Sequence, residues 1–194
     1  MATIVGRGRR SEGQRLGAYA GTLGADPYDT AVGLLSRSHG GVGMVGFAMS
    51  EDNIARFLGH PLGMVCSDGG AFAIEGPART GHPHPRSLGS FPRVLGRYVR
   101  ERRALSLEDA VRKMSAFPAS RVRLADRGML RQGFAADVVV FDPGTVADRA
   151  TFEEPFRYPE GIRAVIVNGV TALRDGERAE RRTGRALRPV NQRR

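Results

Sequence analysis

The chain has no tryptophan, one cysteine, one lysine and no long uninterrupted apolar run. Each shortage excludes something. A single cysteine, Cys66, rules out an internal disulfide framework and any multi-cysteine zinc site. No run approaches the ~18 apolar residues a membrane span needs. The basic start "MATIVGRGRR" lacks the apolar stretch that follows in a signal peptide, so the chain reads as cytoplasmic and away from membranes. Lysine is confined to Lys113, so the net charge of +10 is almost entirely arginine. Such charge can bind nucleic acid. The aromatics that would stack bases are scarce beside the arginines, which argues against that reading.

What is present is an apolar fraction of 41% over 194 residues, enough to build a core. Residues 1–25 are rich in Gly and Arg without steady period and read as a loosely ordered lead-in. At "DPYDTAVGLL", Asp26 is placed to cap a helix that starts on Pro27, with Asp29 favouring its positive end. Tyr28, Ala31, Val32 and Leu35 mark one face of it. "GVGMVGFAMS" and "GMVCSDG" read as short buried strands flanking a helix with an Ile54, Phe57 and Leu58 stripe. Strands joined this way run parallel, and both lack the polar alternation of a half-exposed sheet. Cys66 then falls inside a strand, as a buried and inert thiol.

Two more helices follow. Val94, Leu95, Tyr98 and Val99 form the stripe of the first. The second opens on a Ser106/Asp109 capping pattern, with Leu107, Val111 and Met114 facing inward. Beyond residue 127 the texture changes to β. "ADVVVFDP" is a strand, and "IRAVIVNGVTALRDGE" is a hairpin turning on Asn168-Gly169. The division is therefore 1–25, 26–127 and 128–190, with an α/β part preceding a β-rich part.

The residue that asks for chemistry is Asp68 in "MVCSDGG", a carboxylate at the end of an apolar run followed by two glycines. Ligands gather at the carboxyl ends of strands in parallel α/β sheets, and glycine lets them approach the backbone. A carboxylate there can ligate a metal, move a proton, or do both. It can also simply cap a turn. The patternless stretch 70–90 holds His82, His84 and Arg86 in "GHPHPR". The prolines oppose a regular strand that would aim both imidazoles at one metal. The histidines either shape the loop or touch substrate, and Arg86 can clamp a carboxylate or lie solvated. Met49 either lines a pocket on the Asp68 side or belongs to the core. His39 and His60, beside Gly or Pro at helix ends, read as structural.

The motifs "SDG", "HPHPR", "FPRVLG" and "ADVVVFDP", in this order within residues 26–188, resemble the D-aminoacylase or N-acyl-D-amino-acid deacylase family of metal-dependent amidohydrolases. The resemblance implies the C-terminal part of a TIM-like (β/α)8 barrel followed by a partial small β-sandwich. It implies a zinc-dependent hydrolase cleaving the amide of N-acyl-D-amino acids. Asp68 matches the family's acid/base beside zinc and Met49 matches its side-chain pocket. The family's strand-1 H-x-H ligands and its further metal ligands have no counterpart here. One carboxylate does not hold catalytic zinc, which takes about three protein ligands. The expectation is an inactive portion that needs a missing N-terminal half or self-association. The alternative is a non-catalytic interaction subunit completing a barrel supplied by another chain.

Overall fold

A computed structural model describes residues 2–5 and 11–189. The chain packs as two compact units built from discontinuous segments. One takes the described residues of 1–51, 68–88 and 149–158; the other takes those of 52–67, 89–148 and 159–189. The fold is α/β by content. No helix among the described residues is long and apolar enough to cross a membrane.

In the first unit, β1 (Ala2–Val5) pairs antiparallel with β2 (Gly43–Gly46). Helix α1 (Leu16–Thr22) leads into α2 (Pro27–Arg37). Composition alone did not announce β1 or α1. The start of α2 follows its sequence: the Asp26 side chain accepts from the Tyr28 and Asp29 N–H groups, and Pro27 opens the first turn. Its faces do not. The buried residues are Thr30 and Leu34, while Tyr28, Val32 and Leu35 stand in solvent.

The expected pair of parallel strands is absent among the described residues, where every paired strand runs antiparallel. The segment 63–69 forms no strand. Val65 donates its N–H to the Lys113 carbonyl at 3.1 Å, without a ladder forming around it. Without strands on either side, the segment alternates: Met64, Cys66 and Asp68 are exposed, Val65 and Ser67 half-buried. Cys66 is thus an exposed free thiol, not a buried one.

The second unit begins within α3 (Glu51–Gly59), whose Ile54, Ala55 and Leu58 pack on the main core. After α4 (Arg86–Arg93) the chain continues as a π-helical stretch, Val94–Glu101. This stretch supplies the buried Val94, Leu95 and Tyr98. Val146 and Ala110 complete the core, Ala110 coming from α5 (Leu107–Met114). Ser106 caps α5 by accepting the Asp109 N–H. Asp109 does not return to the cap; its carboxylate serves Arg112 and Lys113. Leu107 and Met114 pack on the core as their spacing requires, but Val111 is exposed.

Lys113, the only lysine, is fully buried. Its ammonium donates to the carbonyls of Leu58 and His60, and it lies 3.2 Å from Asp109 Oδ2. Three donors with three acceptors make a buried charge tolerable. The site ties the C-terminal end of α3 to α5, where a cation also suits the helix dipole. Helix α6 (Ala116–Arg121) follows.

The β-rich region is one antiparallel sheet in the order β3 (Val138–Phe141), β4 (Ile162–Val167), β5 (Val170–Arg174), β6 (Glu177–Arg178). The β4–β5 turn has positive φ at both Asn168 (51°) and Gly169 (78°), the tight hairpin turn the sequence specifies. Buried Arg127 pins this turn. Its guanidinium bonds the Asp137 carboxylate and donates to Asn168 Oδ1 at 2.7 Å. Asp137 also accepts the Asn168 N–H at 2.7 Å.

That network carries a pH dependence. The Asp137 carboxyl is held below its ordinary range, foremost by the Asn168 N–H; burial opposes this, and Arg127 and Arg185 add to the lowering. At Asp109 burial raises the pKa, but the hydrogen bonds and charges of Arg112 and Lys113 outweigh it. A carboxyl depressed on folding contributes stability that is full above the unfolded value, about 3.9. It is lost as pH falls through the folded value. Thermal melting is therefore expected to be flat from about pH 8 to 5 and to drop steeply below about pH 4. Asp137→Asn should flatten part of that drop. An unchanged acid limb in the variant would remove Asp137 from the account.

Candidate active site

Asp68 lies within this strandless segment with φ 46°, in the left-handed region that Asp tolerates better than most side chains. Its carboxylate meets Arg86 at 2.8 Å, with Asp68 and Arg86 side chains 82% and 46% exposed. Gly69 permits this arrangement. A Cβ at residue 69 would lie 2.7 Å from the Ser87 Cα, so only glycine lets the two backbones come so close. Arg86 starts α4, and its N–H donates to His84 Nδ1 at 3.0 Å.

The two histidines hold the loop to residues 151–157. His82 Nε2 lies 2.6 Å from the Phe152 carbonyl oxygen. The His84 ring stands edge-on to Phe152 at 5.0 Å, and Phe47 packs against the same ring at 4.5 Å. Arg15 covers Phe47, while Arg79 lies over Phe156. Met49 sits three residues beyond β2, 73% exposed, and no described contact joins it to Asp68. The structure thus brings Asp68, Arg86 and His84 together. The anchoring role of Phe47 and Phe152 escaped the sequence reading, because no local pattern in "TFEEPFRYP" announces a return to a loop 70 residues earlier.

An exposed carboxylate paired with one guanidinium can exchange protons with water. A surface pair of this kind contributes about 0–1 kcal/mol, so Arg86 does not lock Asp68 in place. The donor set does not fit a metal centre. Among the described residues no three His, Cys, Asp or Glu side chains converge as metal ligands, and the His82 Nε2 and His84 Nδ1 atoms are engaged. The described residues do not by themselves make a catalytic zinc site.

Residues 77–172 match the amidohydrolase family, so the chain carries a stretch of that class. Within the class its relatives are the D-aminoacylases and N-acyl-D-amino-acid deacylases. The N-acyl-D-glutamate deacylase of Alcaligenes xylosoxydans xylosoxydans is 46% identical over 176 residues, 91% of this chain and 33% of that protein. A solved D-aminoacylase, studied for the functional role of its binuclear metal centre, superposes with a TM-score of 0.83 at 36% identity. That match covers 96% of this chain and 37% of the other. The N-acyl-D-glutamate deacylase of Bordetella bronchiseptica, solved with zinc and a phosphonate mimic of the tetrahedral intermediate, gives 0.80 at 41% identity. It is covered to 38%, and this chain to 97%. The chain spans about one third of the length of the relatives it matches.

Proposed function

We propose that this chain is the acid/base-bearing, C-terminal portion of a zinc-dependent hydrolase that cleaves the amide bond of N-acyl-D-amino acids. The observation that carries the reading is the 46% identity spread over 91% of the chain, with Asp68 held exposed inside the matched region. In this reading the elements of 26–127 are the last βα units of a (β/α)8 barrel. The sheet β3–β6 is part of a small β-sandwich. The segment around Asp68 then gains the strand neighbours it lacks here. A cytoplasmic setting suits a lone exposed thiol.

The chemistry assigned to this chain's residues is proton transfer. Asp68 takes a proton from the water that attacks the acyl carbonyl. As the C–N bond breaks, it returns that proton to the leaving nitrogen, giving a carboxylic acid and a free D-amino acid. Arg86, released from Asp68, is placed to meet the substrate's carboxylate. His84 holds the loop that presents Arg86, and Met49 lines the side-chain pocket. The remaining zinc ligands come from outside the described residues, and the chain alone is inactive.

The test is release of free amine from an N-acetyl-D-amino acid in zinc-containing buffer. The chain is assayed alone and then co-expressed with the part of the Alcaligenes deacylase that lies outside the aligned 176 residues. The expected result is no turnover alone and stereospecific turnover together. Turnover by the chain alone would refute its incompleteness. A stable complex with no turnover would favour the second reading, a non-catalytic subunit.

A further inference from the structure

The β4–β5 turn is made by Asn168-Gly169, the one Asn-Gly pair in the chain. Asparagine is a thermolabile residue, and ahead of glycine it reacts with its own backbone. The glycine nitrogen, with no side chain beside it, attacks the asparagine Cγ. Ammonia leaves as a five-membered succinimide closes, and water reopens the ring to aspartate or isoaspartate. The balance is amide plus water to carboxylic acid plus ammonia, with no other reactant. Asn53 and Asn191 precede Ile54 and Gln192, whose side chains crowd the same attack.

The folded chain engages each group this reaction must move. The Gly169 N–H, the nucleophile, donates to the Ala136 carbonyl at 2.9 Å, which favours its keeping the proton. The Asn168 side chain is tied at both ends. Its Oδ1 accepts from Arg127 at 2.7 Å, and its Nδ2 donates to the Thr183 carbonyl at 2.8 Å. Swinging Cγ over the Gly169 nitrogen breaks both bonds. Solvent access is not what protects the turn, because Gly169 is exposed and Asn168 only half-buried.

We propose that Asn168 is a self-deamidation site held shut by the Arg127–Asp137 corner and the segment at Thr183, so that loosening of this corner sets the rate of modification. The site takes no part in the proton transfer proposed for Asp68. Its product does not fit the corner. Aspartate at 168 turns an oxygen toward the Thr183 carbonyl where an N–H donated before. It also brings a second carboxylate beside Asp137, which already accepts the Asn168 N–H at 2.7 Å. Isoaspartate adds a methylene to the main chain of a two-residue turn whose geometry sets the β4–β5 register. Modification therefore unfastens the segment at Thr183, and nothing in the chain reverses it.

The full chain is incubated in mildly alkaline buffer, and conversion is followed by mass spectrometry of the tryptic peptide 164–174. The folded parent is expected to deamidate at least about tenfold more slowly than the parent unfolded in guanidinium. Asp137→Ala, kept folded as judged by circular dichroism, should deamidate at least about threefold faster than the folded parent. Equal rates in the folded and unfolded parent would overturn the proposal, as would a folded Asp137→Ala that reacts at the parent's rate. Should that variant fail to fold, hydrogen exchange of the parent decides. Protection of the Gly169 amide by at least about tenfold over the unfolded chain is expected, and exchange at the unfolded rate overturns the gate. Asn168→Asp supplies one product directly. Its melting temperature should fall by at least about 2 °C, and trypsin should cut sooner at Arg182 and Arg185. Melting and cleavage like the parent's would overturn the claim that modification unfastens the corner.

Discussion

Asp137→Ala is expected to lower the unfolding free energy of the chain by about 1–3 kcal/mol. The size follows from what is left behind. Arg127 is buried, and guanidinium stays charged at any accessible pH. Removing Asp137 leaves that charge with Asn168 Oδ1 at 2.7 Å and the more distant Asp126 carboxylate at 3.8 Å. It also strips the acceptor from the Asn168 N–H, in the residue that starts the hairpin turn. Two losses thus fall on one corner, where Asn168 already occupies the left-handed region at φ 51°. A lower midpoint in urea with an unchanged slope would report the effect as stability. A shift under about 0.5 kcal/mol would make the pair an ordinary surface contact. The companion variant Arg127→Met separates an unpaired charge from lost packing. Combined with Asp137→Ala, it should cost clearly less than the two single changes summed, because no buried charge then lacks its partner.

The hairpin and its Asn-Gly turn were legible because they are local: alternation and two residues with positive φ specify them without help from the rest of the chain. The caps at Asp26 and Ser106 were legible for the same reason. What binds the turn to the fold was not. Arg127, Asp137 and Asn168 are separated by 10 and 31 residues, and only the folded chain shows that they share a corner. The expectations that failed at 63–69 assumed neighbours. Residues 63–69 read as a strand buried on two faces, and Met64, Cys66 and Asp68 instead face outward because no strand pairs with them among the described residues. On α2, Tyr28, Val32 and Leu35 of the apolar face marked in the sequence stand exposed. These sequences encode burial, and the described residues do not supply what would bury them. At the candidate site, Asp68 and the "HPHPR" loop were visible as motifs. Their ion pair depends on Gly69 lying against Ser87, a contact that spacing does not reveal.

The largest functional effect belongs to Asp68→Asn in the co-expressed assembly, where amine release should fall about 10²–10⁴-fold. That is roughly 3–5 kcal/mol of transition-state stabilisation. Asparagine is the informative replacement. It accepts the left-handed backbone that φ 46° requires, as aspartate does, so the turn into Gly69 survives. It keeps an oxygen for Arg86 but neither accepts nor returns a proton. Since the Asp68 side chain is 82% exposed in this chain, its melting temperature should not move. The loss should appear in kcat with little change in KM, because in the proposed role Asp68 acts on the reacting water and leaving nitrogen and not on the bound ground state. Arg86→Gln makes the contrast. If Arg86 holds the substrate's carboxylate, its loss raises KM more than it lowers kcat. Full activity in Asp68→Asn would end the assignment of Asp68 as the proton carrier, whatever else the assembly does.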